Sequence, residues 1–247
     1  MGMDASSNSQ SYRSLRREAF VVAGLTLLGT ASLAAFVATT LTLSSFAVWR
    51  AASVPLAWIA LTASHIEEHA HDRLGPANQI TALRAVLVGV LAALVFEAPV
   101  LEPWTLVFAA GLVFGLDGVD GLVARRTGTA SPFGARLDLE LDGLFVLVLC
   151  GLVQTVTDAG AWVWSAGLAR YAFIASARVA PFMARPLPPA RRRPWACGIG
   201  VGLLVAALAP LDFGLPELCA AVGVATIVGS FAIDVAWLLR HREGGPW

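Results

Sequence analysis

Four aspartates in one short stretch are the residues of this chain best suited to do chemistry. Asp117 and Asp120 stand in the run Asp117-Gly-Val-Asp-Gly-Leu-Val-Ala-Arg125. Eight residues later comes Gly134-Ala-Arg-Leu-Asp-Leu-Glu-Leu-Asp142. Both runs lie at the ends of apolar segments of membrane-crossing length. Ionisable groups at that depth are costly and mark functional sites. Four carboxylates this close repel one another unless positive charge lies between them. Hard oxygen ligands suit Mg²⁺ or Mn²⁺ rather than zinc, so a divalent metal pair is the simplest counter-charge.

The spacing says how helices would present these groups. Asp117, Asp120, Gly121 and Ala124 fall at i, i+3, i+4 and i+7, which is one helix face. Gly134, Asp138 and Asp142 fall at i, i+4 and i+8, again one face. The linker Arg126-Thr-Gly-Thr-Ala-Ser-Pro-Phe133 reads as a short turn, so the two helices run antiparallel and their acidic faces converge. Small residues at 121, 124 and 134 leave room for a ligand. Arg125 adds a planar fork matched to phosphate.

The elements that position this pair are membrane helices. The chain has 247 residues, 57% of them hydrophobic and 14% charged, with mean hydropathy +0.72. That composition reads as all-α, a polytopic integral membrane bundle. Formal net charge is zero, which argues neither for nor against nucleic acid, and no nucleic-acid partner is expected. The three cysteines, Cys150, Cys197 and Cys219, lack CxxC spacing and read as buried free thiols.

Residues 1–18 read as a disordered cytoplasmic tail and 241–247 as another. The uncharged run Phe20 to Trp49 is too long for a secretory signal, and as one straight helix it would measure about 45 Å. A break is expected between Thr39 and Ser45, with a second segment over 47–64. Residues 19–74 thus hold one or two extra membrane helices and a polar linker. Six core helices are expected over 75–240, near 79–97, 102–123, 135–156, 161–183, 196–211 and 216–239, with Asn78 capping the first. Alternate connections carry the arginines: Arg125, Arg126 and Arg136, then Arg185 and Arg191 to Arg193, then Arg240 and Arg242. That pattern puts the aspartate cluster on the cytoplasmic side and favours two extra helices over one.

All eight fixed positions of D-x2-D-G-x2-A-R-x8-G-x3-D-x3-D are matched, and the chain in this respect resembles the CDP-alcohol phosphatidyltransferase family. Pro76-Ala-Asn78-Gln-Ile-Thr81-Ala-Leu-Arg84 resembles that family's Pro-Asn-x-x-Thr-x-x-Arg, with one residue inserted. The resemblance implies a six-helix enzyme that binds a CDP-linked donor, usually CDP-diacylglycerol, with two Mg²⁺ or Mn²⁺ ions. An alcohol then attacks the lipid-side phosphorus and CMP leaves. It implies that Asp117, Asp120 and Asp138 hold the metals, with Asp142 at their edge as general base. Gly121, Ala124 and Gly134 would accommodate the cytidine side, Arg125 would meet the diphosphate, and Asn78, Thr81 and Arg84 could add diphosphate contacts. Such an enzyme would serve phospholipid synthesis in a bacterial cytoplasmic membrane. The family often forms homodimers, which makes a second copy a candidate partner.

Other residues have competing readings. Arg84 could instead anchor a helix end at lipid head groups. Arg170 and Arg178, inside the fourth core helix, could neutralise the aspartates or hold an acceptor phosphate. Arg191 to Arg193 read as a solvated loop. Glu140 lies between the ligand positions and points elsewhere. His65-Ile-Glu-Glu68-His69 matches an inverted zinc-protease motif, so a zinc hydrolase is a remote alternative. A non-catalytic scaffold or transporter of the same fold is another, and the acceptor alcohol stays open.

Overall fold

The computed structural model describes residues 5–63, 65, 74–97 and 101–242, with side chains from Ser14 onward. Eight α-helices make up these residues: α1 Ala5–Thr40, α2 Ala47–Thr62, α3 Gly75–Ala93, α4 Pro103–Thr127, α5 Pro132–Val156, α6 Trp164–Val179, α7 Arg192–Ala206 and α8 Leu215–Arg240. Among the described residues there is no strand. Five helices are long and apolar enough to cross a membrane: α1 from Ser14, α3, α4, α5 and α8. The protein is a polytopic helical membrane bundle with two extra N-terminal helices ahead of six core ones.

The boundaries follow local chemistry. α4 stops where Gly128 takes the left-handed conformation at φ 66°, and its N–H bonds back to the Ala124 carbonyl. Ser131 caps α5 by accepting from the Gly134 N–H at 3.0 Å, with Pro132 in the first turn. The two aspartate-bearing helices are therefore joined by a tight reversal.

Three boundaries differ from the sequence reading. α1 begins at Ala5, inside the stretch read as a tail, because no Gly or Pro interrupts residues 5–23 and extending a nucleated helix is cheap. α3 begins at Gly75, so Asn78 lies within its first turn and caps nothing; its amide donates back to the Leu74 carbonyl. Arg192 and Arg193 form the first turn of α7 rather than a solvated loop.

α3 and α5 are the inner helices. Their spanning windows are 61% and 67% buried, against 17–28% for α1, α4 and α8. α5 packs on α2, α3, α6 and α7, and α3 also meets α1, α2 and α4. Between apolar helices in lipid, close van der Waals contact replaces the hydrophobic driving force, so small residues mark the crossings. At the α7–α8 crossing, a Cβ on Gly223 would fall 2.9 Å from the Gly200 carbonyl oxygen. At the end remote from the aspartates, Ser44 donates to Glu97 through its hydroxyl at 2.6 Å, and Arg50 pairs with the same carboxylate. The Ser44 bond, helped by Arg50, holds the Glu97 carboxyl below its ordinary range.

Gly223→Val should lower the thermal unfolding midpoint in detergent, at a cost of about 1–3 kcal/mol for overpacking a helix crossing. Gly111→Ala, where a Cβ meets only open space, should leave the midpoint unchanged or raise it.

Candidate active site

Three helices meet at one guanidinium. Arg84 projects from α3 and is 0% exposed. Its Nη1 lies 2.7 Å from Asp120 Oδ2 and 2.6 Å from Asp138 Oδ1; its Nη2 lies 2.9 Å from Asp117 Oδ1 and 2.8 Å from Asp142 Oδ1. The turn between α4 and α5 brings the two aspartate pairs face to face, and α3 supplies the charge between them. Asp120 is buried, whereas the other three side chains remain about one third exposed at the site's mouth. Thr81 Oγ1 lies 3.2 Å from Asp120 Oδ2, and the Gly121 N–H donates to Asp120 Oδ1 at 2.7 Å.

Arg84 therefore lies deep in the bundle and is not an interfacial anchor. Asn78, Thr81 and Arg84, expected near a diphosphate, all have protein partners. The Asn78 amide oxygen lies 2.8 Å from where a Gly134 Cβ would sit, so Gly134 permits the close approach of α3 to the start of α5. Arg125 is exposed and folds over Gly121, its Nη1 3.3 Å from a Cβ built there. The Ala124 carbonyl closes the end of α4 by accepting from Gly128 and Thr129.

The donor set fits a divalent cation. Asp117, Asp120 and Asp138 each offer an oxygen, all within 4.8 Å of one another. A hard cation with metal–oxygen distances of about 2.0–2.6 Å can join oxygens at that separation.

A cavity of about 460 Å³ adjoins the cluster between α4, α5, α6, α7 and α8. Asp117, Asp142 and Arg84 form one wall; Arg170, Arg193 and Asp234 lie on the others, with apolar residues such as Phe114, Phe145 and Phe231. Cys197 is exposed on this lining rather than buried, and all three thiols are unpaired. Arg170 pairs with Glu140 at 2.8 Å, and Arg136 pairs with the same carboxylate at 3.1 Å. Arg193 pairs with Asp234 at 2.9 Å, and Arg192 joins it. Glu140 and Asp234 thus each have two arginines. Arg178 sits exposed on the last turn of α6, away from the cavity lining.

The sequence reading set Glu140 aside and did not single out Asp234. Glu140 points away from the aspartates, as expected, but into a buried ion pair. Its i+4 spacing from Arg136 was a usable sign. Asp234 is the lone acid deep in the last apolar segment, which by itself marks a partnered group. Of the zinc-type motif, His65 lies just beyond α2, and Glu68 and His69 fall outside the described residues.

Removing one partner of a buried charge cluster typically costs about 3–5 kcal/mol, because it leaves the opposite charge uncompensated. Arg84→Met should therefore lower the midpoint of thermal unfolding strongly. Arg126→Met, an exposed control, should barely move it.

Residues 74–236, or 163 of 247, match the family model described as CDP-alcohol phosphatidyltransferase. No curated protein and no solved structure matched the chain. The matched span covers α3 to α7 and most of α8, including every aspartate of the cluster. This chain belongs to the CDP-alcohol phosphatidyltransferase family, whose members transfer a phosphatidyl group from a CDP-linked donor.

Proposed function

We propose that this protein transfers the phosphatidyl group of CDP-diacylglycerol to the hydroxyl of an acceptor alcohol and releases CMP. The setting is phospholipid synthesis at the cytoplasmic face of a bacterial membrane. The observation that carries this reading is the convergence of four motif carboxylates at the mouth of an arginine-bearing cavity.

Asp117, Asp120 and Asp138, with Asp142 beside them, would hold two Mg²⁺ or Mn²⁺ ions. When bound, these supply charge neutralisation for a diphosphate and its leaving group. Arg84 keeps the four carboxylates gathered in spite of their mutual repulsion. The cytidine side would lie along Gly121 and Ala124, Gly134 keeps α3 close to α5 beside it, and Arg125 would swing from over Gly121 to meet the diphosphate. The acceptor oxygen forms a bond to the lipid-side phosphorus as the bond to the CMP phosphate breaks. Asp142 takes the hydroxyl proton, on Oδ2, since Oδ1 lies against Arg84.

The cavity beside Asp142 is the acceptor's place in this reading. Arg170 and Arg193, which line it together with Arg84, each belong to a triad of two arginines and one acid, so each triad carries net positive charge. An acceptor bearing a phosphate, such as glycerol phosphate or inositol phosphate, matches that charge better than a neutral alcohol. Arg170 and Arg193 are the residues for it; Arg178 is too far out on α6 to serve.

Purified protein with CDP-diacylglycerol and Mg²⁺ should release CMP on addition of a phosphate-bearing alcohol, and excess EDTA should abolish release. Full turnover in EDTA would overturn the metal assignment, and preference for serine or a neutral polyol would overturn the acceptor class.

Asp142→Asn should fold and bind the donor yet lose about 10²–10⁴-fold in turnover, the usual worth of a general base. Wild-type rates in this variant would remove Asp142 from the base role.

A further inference from the structure

The helices α1 and α2 precede the matched family region, yet they are packed into the part of the bundle that carries the aspartates. α2 lies against both α3 and α5. Pro55 denies the Ala51 carbonyl its intrahelical donor, and this is the carbonyl that Gly89 of α3 approaches. A Cβ on Gly89 would sit 2.9 Å from that oxygen and 2.5 Å from Thr30 Cγ2 of α1. No larger residue fits there without moving the hairpin away from α3.

Trp58 makes a contact one residue from a cluster aspartate. It is 4% exposed, and its indole N–H donates at 2.8 Å to the Leu137 carbonyl of α5. That oxygen belongs to the planar peptide unit whose other end is the Asp138 backbone, so a bond to it restrains where Asp138 starts. The bond spans 79 residues of sequence and is buried. On the same side, the Leu74 N–H at the start of α3 donates to Glu18 of α1 at 3.4 Å.

We propose that the N-terminal hairpin is part of the catalytic unit, and that Trp58 is a positioning residue that holds Asp138 in register with the other metal-binding carboxylates. The proposal rests on the divalent-ion reading of the aspartate cluster.

The test uses the full-length protein in detergent and reads Mn²⁺ binding by electron paramagnetic resonance, alongside the Mg²⁺ dependence of CMP release. Trp58→Phe should weaken Mn²⁺ binding and raise the half-saturating Mg²⁺ concentration, each by about tenfold, the low end of the usual effect of losing an outer-shell contact. Arg50→Gln loosens the hairpin at its far end without touching α5, and it should leave both values unchanged while lowering the unfolding midpoint. Unchanged Mn²⁺ affinity in Trp58→Phe overturns the proposal. So does equal weakening in both variants, which would mark general loosening. If Trp58→Phe does not fold, replacing Trp58 by benzothienylalanine, which keeps the ring shape and lacks the N–H, gives the same decision. Failure of the wild type to bind Mn²⁺ would overturn the ion reading itself, a different outcome from failure of the Trp58 assignment.

Discussion

One fully buried guanidinium sets the architecture of this site. Arg84 is held between four carboxylates from two other helices, and neither side could be buried without the other. In a bundle with low dielectric, four negative charges within a few ångströms would push α4 and α5 apart. The guanidinium reverses that sign, so the three helices converge rather than splay. Planarity matters as well, because the two Nη atoms reach two carboxylates each. A lysine would offer one compact charge and could not bridge the same four groups.

The same solution recurs twice at the adjoining cavity. Glu140 with Arg136 and Arg170, and Asp234 with Arg192 and Arg193, each bury an acid between two arginines. These triads tie α5 to α6 and α7 to α8. They also bring Arg170 and Arg193 to the lining of the cavity that Asp117 and Asp142 share. In the proposed transfer, the aspartates would gather the cations and these arginines would meet an anionic acceptor.

Around this polar centre the bundle is assembled by close packing of small residues. Gly89 admits the hairpin and Gly223 admits α7. Gly134 lets α3 reach the start of α5 at Asn78. At the far end, Ser44 and Arg50 fasten the hairpin to Glu97. The hairpin is therefore held at both ends, once by an ion pair and once by the Trp58 indole.

The sequence by itself determined the family, the four aspartates, the turn between their helices and the break between α1 and α2. These are local properties. Helical spacing places Asp117 with Asp120 and Asp138 with Asp142, and Gly128, Ser131 and Pro132 fix the reversal between them. Hydropathy alone also gave six core segments close to the observed helices. Only the tertiary structure decided where the buried arginines point. Arg84 could be read as a lipid anchor or a diphosphate contact because nothing within its own helix names its partners, which lie 33 to 58 residues away. Glu140 and Asp234 were obscure for the same reason: an acid in an apolar segment announces that it needs a partner but not which one. Trp58 was the least legible of all. Its contact is to a backbone oxygen, and every residue carries one.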